Sequence, residues 1–494
     1  MKAEAQIIAK NASVLMASQL VTWAFSLLLT VFLPRYLGAR AVGQFHLAGS
    51  LWAIIGIAAT FGMDILLTKE IARAPAKTVA LLGTGAILRA FLYLLGTVGL
   101  IVYVRLAGYP LETLQVIAVV GITAFVNQLI SLYSAALSGL ERMEYISLGG
   151  IVSKAILTIV SIAVLLLGQG VIIVAAVATV ATLVNLLIVL FYLRRLHPVR
   201  LHFDAQLARW MVKSSFPYFT VTMFLVLYMQ VDIVIISLLV DETSVGWYGA
   251  ADQLFGTLLF IPTIFMTAVF PALSRLHGSG STSSGRLMRK SFELLLLAGI
   301  PIGLGLVIVA DQLVVLLFGI EFANSGPILA VMGVVLILTY QNILLGRFYI
   351  SIDRQRDWTW IMVAATVATV PLDLILIPWC QAMFGNGAIG GALAFVVTEA
   401  GMLVVGLRFL PGGIFGRSSA WFSLRALIAG TTMMVAIWWA RDHFIAIPII
   451  LGAVIYSLSV FLLQLVPPED WLLIKDTGRS LFLRLRRQQP QPVH

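Results

Sequence analysis

Apolar runs of about twenty residues or more, separated by short polar corners, recur along the whole chain. An α-helix rises about 1.5 Å per residue, so roughly twenty apolar residues cross a hydrocarbon core of about 30 Å. The pattern predicts an all-α polytopic membrane protein with about fourteen transmembrane helices. Their approximate bounds are 11–33, 43–68, 79–104, 112–139, 145–167, 170–193, 210–239, 245–272, 290–310, 325–347, 357–378, 387–410, 421–440 and 444–466.

The first two runs form a helical hairpin whose corner extends from Pro34 to Gly43. The corner sequence Val42-Gly43-Gln44-Phe45 has a weaker counterpart in the second half, Val245-Gly246-Trp247-Tyr248, again between two apolar runs. This repetition predicts two lobes of similar build, each opened by a helical hairpin.

Polar connections at 194–209 and 273–289 are the longest in the chain, and the first of them divides it into lobes. We therefore predict an N-terminal lobe over 1–200, a C-terminal lobe over 201–412 and two additional helices over 413–466. The segment 467–494 alternates apolar and basic residues, which predicts a short amphipathic helix on the inner leaflet. A disordered basic tail is the alternative.

Composition agrees with a membrane protein, since 60% of the residues are hydrophobic, 11% are charged and the mean hydropathy is +1.01. A soluble chain would carry about 25% charged residues. Cys380 is the single cysteine, which excludes an intrachain disulfide framework, and the six histidines show no ligand spacing. The sequence contains no Walker motif, catalytic triad or metal cluster, so we expect neither an ATPase nor another enzyme.

The basic residues are distributed very unevenly between the two sides of the predicted bundle. With the N-terminus inside, 26 of the 32 lie on cytoplasmic segments, and four lie outside, namely Arg35, Arg40, Arg105 and Arg441. This asymmetry follows the positive-inside rule and predicts cytoplasmic N- and C-termini in the inner membrane. It also accounts for the net charge of +10 through contact with lipid headgroups, so we expect no nucleic-acid partner.

Two cations remain inside predicted spans of the first lobe. Arg89 and Lys154 lie about ten and nine residues from the cytoplasmic ends of their spans, near a depth of 14–15 Å. Two cations at similar depth suit a pyrophosphate group, which both side chains bind well away from water. The alternative is that they pair with Asp64 or Glu144, or extend to the interface.

Other arginines are weaker candidates for contact with a substrate. Arg35 and Arg40 lie at the predicted outer mouth of the first lobe, where they could steer an anionic headgroup or glycan. The alternative is that they cap the carbonyl groups at the end of the first helix. Arg347 could meet the substrate on entry, or serve as one more cytoplasmic anchor.

The second lobe carries four acids inside its spans, Asp232, Asp252, Asp373 and Glu399, and no cation at comparable depth. Charges within the hydrocarbon region usually face a cavity or a partner. Two interpretations of the residues remain open: a proton site, and a structural role in which the acids form hydrogen bonds between helices or pair with a loop cation.

The order and spacing of several short segments resemble the polysaccharide flippase family of the multidrug/oligosaccharidyl-lipid/polysaccharide exporter superfamily. The resemblance covers nearly the whole chain, and no single segment decides it. The segments are Lys10-Asn11, Gln19-Leu20, Arg35-Tyr36-Leu37-Gly38, Val42-Gly43, Phe61-Gly62-Met63, Ile71-Ala72-Arg73, Val245-Gly246-Trp247-Tyr248, Phe270-Pro271-Ala272, and Gly385-Asn386-Gly387 followed by Gly390-Gly391-Ala392.

The resemblance implies two six-helix bundles around a central V-shaped cavity, with two extra C-terminal helices. It implies a flippase that moves an undecaprenyl-diphosphate-linked oligosaccharide to the outer leaflet by alternating access. In the lipid II flippase branch, acids on the seventh and eleventh helices bind sodium. The positions of Asp232 and Asp373 are similar, so the resemblance makes them candidates for a sodium site.

The expected partners are therefore a polyprenyl-diphosphate-linked glycan and membrane lipids, with glycan polymerase or ligase machinery as a further candidate, and we expect a monomer. One alternative function is a cation-coupled multidrug exporter of the same superfamily, for which acids rather than deep cations would line the cavity. Another is a membrane glycan polymerase or ligase, which would need a large outer loop rich in arginine. The outer loops of this chain are short.

Overall fold

The structure is a computed structural model that describes residues 2–198, 200–278 and 283–465. These residues form α-helices joined by short turns, and two of the connections contain a 3₁₀ turn, Pro75–Lys77 and Ile320–Phe322. The helices are α1 Lys2–Thr60, α2 Met63–Arg73, α3 Thr78–Ala107, α4 Leu111–Gly139, α5 Met143–Leu166, α6 Val171–Leu196, α7 Ala205–Leu239, α8 Glu242–Leu258, α9 Phe260–Gly278, α10 Ser283–Phe318, α11 Ser325–Ser351, α12 Gln355–Phe384, α13 Ala388–Arg408, α14 Arg417–Trp438 and α15 Ala446–Leu462.

Twelve helical stretches of the described chain are long and apolar enough to cross a membrane. The first, Ala17–Arg73, has 57 residues and covers both of the first two predicted spans. The shorter apolar helix Ala446–Leu462 occupies the last predicted span, and its 17 residues extend about 25 Å. The prediction of an all-α polytopic membrane protein is thereby confirmed, while the predicted tail helix over 467–494 lies outside the described residues.

The corner between the first two spans is smaller than the sequence predicted. Helical backbone continues on both sides of Gly38, the one residue within α1 that departs from helical geometry, with φ 78° and ψ 167°. Pro34 lies four residues earlier and removes one backbone donor from the helix. A single glycine therefore interrupts the helix where a ten-residue corner was predicted.

Two predicted spans are interrupted in the structure. The span predicted over 43–68 breaks at Phe61 and Gly62, whose φ angles are 48° and 69°. A Cβ at Gly62 would lie 2.9 Å from the Cβ of Tyr218, so this break also lets α7 approach closely. The span predicted over 245–272 breaks at Leu259, between α8 and α9.

The helices divide into two compact units. One holds the described residues up to Leu258 together with Asp311–Met332 and Arg354–Gly406, and it contains nearly all of the candidate site residues. The other holds Leu259–Ala310, Gly333–Asp353 and the described residues from Leu407 onward. These units group α7 and α8 with the helices of the predicted N-terminal lobe; the predicted lobe boundaries stay a prediction.

Aromatic packing in the first unit depends on one glycine. Trp52 stacks on Tyr93 with ring centroids 5.1 Å apart, and its Nε1 donates to the main-chain oxygen of Ile117 at 2.6 Å. Tyr93 donates its hydroxyl to the main-chain oxygen of Gly121 at 2.6 Å. A Cβ at Gly121 would lie 2.5 Å from the Trp52 ring, so α4 can approach the indole only because residue 121 is glycine.

The second unit is held by similar close packing. A Cβ at Gly303 of α10 would overlap the main-chain oxygen of Gly333 on α11, so the two helices cross at backbone contact. Tyr456 of α15 donates its hydroxyl to the main-chain oxygen of Leu297 at 3.1 Å. Small residues at helix crossings and buried hydrogen bonds are typical ways of holding membrane helices together.

Candidate functional site

Arg89 is buried and paired rather than available to a phosphate. Its side chain has no exposed surface, and its Nη2 forms an ion pair with Oδ1 of Asp64. Nη1 donates to the main-chain oxygen of Gln128 at 3.0 Å. The prediction that Arg89 binds a diphosphate directly is therefore wrong for this conformation, and the alternative pairing with Asp64 is the one observed.

The Arg89–Asp64 pair belongs to a polar network beside the break in the second span. Ser131 donates to the other carboxylate oxygen of Asp64. Gln128 accepts from Thr60 at 2.7 Å and donates to the main-chain oxygen of Gly56 at 3.2 Å. The network joins α1, α2, α3 and α4, and the side chain of Asp64 remains 37% exposed. It therefore holds the helices together and leaves one carboxylate edge accessible.

Lys154 differs from Arg89 although both were predicted at the same depth. It lies partly buried on α5, and among the described residues it has no ion-pair or hydrogen-bond partner. Glu144, the partner considered from the sequence, lies 3.6 Å from Arg142 instead. One turn further along α5, Thr158 donates to the main-chain oxygen of Phe25, so this face of α5 packs towards α1. Lys154 is thus an unpaired cation inside a membrane-spanning helix.

The three remaining arginine candidates are exposed. Arg35 and Arg40 flank Gly38, and within the described part of the chain neither has a hydrogen bond to a helix carbonyl or an ion pair. The capping alternative is therefore not observed for them. Arg347 is exposed near the end of α11 and belongs to the other compact unit.

Asp232 and Asp373 form a buried pair of carboxyl groups. Asp232 on α7 is 6% exposed and Asp373 on α12 is fully buried. The two carboxyl groups are close enough to interact with each other, and Tyr248 donates to Oδ2 of Asp232 at 2.8 Å. Within the described chain, no donor reaches Oδ1 of Asp232 or either carboxyl oxygen of Asp373.

This pair has no cation among the described side chains to balance it. Two adjacent carboxylates in a buried site repel each other, and unpaired buried charges are costly. A hydrogen bond between the two carboxyl groups requires a proton on one of them, and a bound cation would serve the same purpose. The arrangement can therefore hold a proton or a small cation, although the described residues contain no group of three or more His, Cys, Asp or Glu positioned to hold a metal ion.

Of the other two acids, one interacts with the pair directly and the other through a tyrosine. Asp252 on α8 is near enough to interact electrostatically with Asp232. Glu399 accepts from the hydroxyl of Tyr228 at 2.9 Å, and Tyr228 lies 3.3 Å from the hydroxyl of Thr398. The structure therefore links all four acids of the second lobe, Asp252 by direct interaction with Asp232 and Glu399 through Tyr228, which the sequence suggested only as a list.

The hydroxyl groups of Thr369 and Thr398 offer further oxygen atoms on α12 and α13. Both hydroxyls donate within their own helices, to the main-chain oxygens of Ala365 and Ala394, which leaves their oxygen lone pairs as acceptors. Pro371 lies inside α12 and leaves the main-chain oxygen of Val367 without its usual helical donor. These oxygens are further acceptors on α12 and α13.

Sequence reasoning missed the contact between the two repeated corner segments. A Cβ at Gly43 would overlap the main-chain oxygen of Glu242, and one at Gly246 would overlap the main-chain oxygen of Ala39. Helices α1 and α8 therefore cross at backbone contact, at the glycine that the two corner sequences share. The repetition of Val-Gly in the sequence was the only signal for this crossing.

Polar bonds reinforce the crossing. Thr113 donates to the Glu242 carboxylate at 3.0 Å and accepts from Nε2 of Gln44 at 3.2 Å. Trp247 donates to the main-chain oxygen of Glu321 at 3.0 Å. We call the crossing of Gly43 and Gly246, with Gln44, Thr113 and Glu242, the glycine crossing.

Comparison with known proteins agrees with this fold. The sequence model of the family described as polysaccharide biosynthesis protein matches residues 8–277, more than half of the chain. The probable low-salt glycan biosynthesis flippase Agl15 of Haloferax volcanii is 24% identical over 173 residues, 34% of this chain and 36% of that protein. The matched region is thus only about a third of that relative's length.

Two groups of solved structures share the fold. The lipid II flippase MurJ in an inward closed conformation aligns with a TM-score of 0.65 and 14% identity, covering 91% of this chain and 98% of MurJ. An inward-facing multidrug resistance MATE family transporter of the MOP superfamily aligns with a TM-score of 0.59 and 15% identity, covering 84% and 95% of the two chains. These identities support a common fold only. The chain belongs to the polysaccharide biosynthesis protein family and shares the fold of these MurJ and MATE transporter structures.

Proposed function

We propose that this protein is a flippase for a polyprenyl-diphosphate-linked oligosaccharide, of the kind used as a repeat unit of O-antigen, capsule or exopolysaccharide, and not an enzyme. It moves the lipid-linked glycan from the inner to the outer leaflet and leaves its covalent structure unchanged. The family membership supports glycan biosynthesis as the setting. The observation that carries the choice of an anionic cargo is the unpaired Lys154 within α5.

Lys154 supports this cargo because an unpaired ammonium in a membrane span is costly unless it faces water or an anion. A diphosphate offers several acceptor oxygens, and a charge-assisted hydrogen bond gains strength where water is scarce. The exposed Arg35 and Arg40 add positive charge beside Gly38, where the lipid-linked diphosphate would leave the first lobe. Arg89 contributes by positioning α3, not by contact with the cargo.

Alternating access requires the glycine crossing to open and close. Two glycines at backbone contact give a tight seal between α1 and α8 that needs few hydrogen bonds to hold it. The chain of bonds through Gln44, Thr113 and Glu242 is exposed to exchange with water once the helices separate, so its net strength is modest. Such a contact can form and break within a transport cycle.

A cation couples to this cycle through the Asp232–Asp373 pair. The pair connects α7 with α12, and Tyr248 connects it to α8, which carries Gly246 of the glycine crossing. Entry of sodium or a proton between the carboxyl groups removes their repulsion and draws α7 and α12 together. Either ion therefore favours the conformation in which these two helices are closest.

The competing function is a cation-coupled multidrug exporter. The buried acid cluster favours it, because a cationic drug could bind there in exchange for sodium or a proton. Lys154 opposes it, because an unpaired cation in the same bundle repels a cationic drug. The effect of Lys154 on transport of each cargo separates the two functions.

The test is transport by the purified full-length chain in proteoliposomes, with a fluorescent undecaprenyl-diphosphate oligosaccharide as cargo. We expect Lys154→Ala to reduce flipping at least about tenfold, the loss of one charge-assisted contact, and Lys154→Arg to restore much of it. Lys213→Ala, which removes an exposed lysine from α7, is the matched control and should transport normally. Normal glycan flipping by Lys154→Ala would refute the proposed cargo. If Lys154→Ala exported a cationic dye faster than the wild type, the protein would be a multidrug exporter.

The orientation and setting are part of the same proposal. The protein lies in the inner membrane as a monomer with both termini in the cytoplasm, near the polymerase or ligase that uses the flipped glycan. Because Cys380 is the only cysteine and is buried, Cys380→Ala gives a cysteine-free background. A cysteine introduced at Gly108 should then react with an impermeant maleimide from outside, and one at Gly412 only after permeabilisation. The reverse labelling would overturn this orientation.

A further inference from the structure

A basic cavity of about 530 Å³ lies in the second compact unit, apart from every residue that the proposed transport uses. It is lined by the end of α9, the start of α10, the end of α11 and residues 411–414 between α13 and α14. All four segments belong to connections that the charge pattern assigns to the cytoplasmic side. The volume suits a small ligand or a lipid headgroup.

Three cationic or potentially cationic side chains line this cavity. Arg286 and Arg289 lie three residues apart, on one face of α10, and His277 faces them from α9. Within the described part of the chain, none of the three is engaged in an ion pair, and no carboxylate lines the cavity. Glu293 follows Arg289 by one helical turn and is near enough to interact with it electrostatically, but it forms no ion pair with it in the described structure and does not line the cavity.

The wall opposite the arginines is built for close approach to the backbone. Gly412 and Gly413 contribute no side chains, and Gly413 has φ 87°, a conformation that favours glycine. A Cβ at Gly285 would lie 3.3 Å from Cγ1 of Ile414, so the connection lies directly against α10. Phe415 packs on Phe292 of α10 with ring centroids 4.9 Å apart, which fixes the connection in place. The cavity is therefore preformed.

The length of α10 and the basic residues near its start place its first turns beyond the hydrocarbon core. Its 36 residues extend about 54 Å, whereas the core is about 30 Å thick, so one end of the helix extends into the headgroup region. The buried side chains of Phe348 and Ile352 add an apolar part to the lining of the cavity beside the arginines. A ligand with an anionic head and an apolar body matches this gradient.

From this cavity we infer that the protein carries a binding site for a phosphate group, supplied by an anionic phospholipid of the inner leaflet. The Arg286 and Arg289 guanidinium groups bind the phosphate oxygens, the backbone of Gly412 and Gly413 approaches the headgroup, and the glycerol lies on Phe348. Scattered arginines at span ends attract anionic lipids diffusely. This cavity differs because two arginines that form no ion pair in the described structure converge on one preformed space whose lining contains no acid.

The experiment measures thermal unfolding of the purified full-length chain in mixed micelles, titrated with dioleoyl phosphatidylglycerol, dioleoyl phosphatidylcholine or inorganic phosphate. Phosphatidylglycerol should raise the unfolding temperature and phosphatidylcholine should not. In the double variant Arg286→Gln/Arg289→Gln, the phosphatidylglycerol concentration for half the effect should rise about tenfold or more, since two charge-assisted contacts are lost.

The matched control is Arg209→Gln/Arg356→Gln, which removes two exposed arginines from the same predicted side and leaves the cavity intact. It should stay within about twofold of the wild type, because screened surface charges contribute little to a specific site. Arg289→Lys keeps the charge without the planar fork and should give an intermediate loss; it replaces the double variant if that variant does not fold.

Equal weakening in the site variant and the control, or equal stabilisation by both lipids, would overturn the inference. If inorganic phosphate alone stabilises the protein through Arg286 and Arg289 and phosphatidylglycerol does not, the phosphate site stands and its ligand is a soluble phosphate. Because none of these readouts measures flipping, they are independent of the proposed function.

Discussion

Replacing Asp64 should destabilise the protein more than replacing Arg89, although the two side chains form one ion pair. Arg89 is fully buried, with Nη2 on Asp64, Nη1 on the Gln128 oxygen and Nε without a hydrogen-bond partner. Asp64→Leu therefore leaves a buried guanidinium with a single acceptor, and removing one partner of a buried pair costs about 3–5 kcal/mol. For Asp64→Leu we expect a loss of about 3 kcal/mol in the free energy of unfolding, the lower end of this range. The Asp64 side chain is 37% exposed, so water can enter its place and solvate part of the guanidinium charge.

The reverse substitution leaves a carboxylate that water can reach. Arg89→Met keeps the volume of the side chain, and Asp64 retains Ser131 as a donor. We expect a cost of about 1–2 kcal/mol, close to that of a lost hydrogen bond to a charged group. The double variant Asp64→Leu/Arg89→Met removes both charges, and apolar replacement of a buried pair is often neutral. We therefore expect it to lie within about 1 kcal/mol of the wild type, with Ser131 losing one acceptor.

The assay is a double-mutant cycle of unfolding free energies measured by steric trapping in lipid bicelles, combined with flipping in proteoliposomes. The sum of the two single costs less the cost of the double variant gives a coupling energy of about 3–5 kcal/mol. The double variant should also flip the lipid-linked glycan nearly as fast as the wild type, because Arg89 positions helices and does not contact the cargo. If Asp64→Leu and Arg89→Met lowered the free energy of unfolding equally, the proposed difference in burial between the Arg89 and Asp64 charges would be refuted. A stable double variant that cannot flip would show that Arg89 reaches the substrate in another conformation.

Three further substitutions test other parts of the structure. Gly246→Leu should prevent α1 and α8 from meeting, since even a Cβ overlaps the Ala39 oxygen. We expect the accessibility of introduced cysteines at the glycine crossing to increase and the rate of flipping to fall. Unchanged accessibility would contradict the proposed role of the crossing. Asp373→Asn should remove the response of transport to sodium and to pH, while the amount of protein in the membrane stays normal. If transport by this variant still responds to either ion, the Asp232–Asp373 pair is excluded as the coupling site. Gly121→Ala should lower the free energy of unfolding by about 1–3 kcal/mol, the usual cost of overpacking, because Trp52 must move. Unfolding in bicelles measures this free energy. A neutral result would mean that α4 relaxes instead. The exposed Gly401→Ala on α13, where a Cβ meets nothing, is its control.

The sequence alone determined the class of protein and the order of its helices. Membrane spans are local features, because a run of apolar residues long enough to cross the bilayer must form its hydrogen bonds within itself. The hairpin corners, the asymmetry of basic residues and the unusual charges inside spans could be read for the same reason. Even the break at Gly38 lies within the corner that the sequence indicated, although its extent was overestimated.

Tertiary structure decided which charges are free and which are paired. Counting residues gives the depth of a side chain in the membrane, but not the direction in which it points around the helix. Arg89 and Lys154 therefore looked alike in sequence, whereas packing brings Asp64 from α2 onto Arg89 and brings no acid of the described chain to Lys154. Contacts between distant segments, such as Gly43 with Glu242 and Asp232 with Asp373, depend on how helices pack, and apolar periodicity does not encode that arrangement.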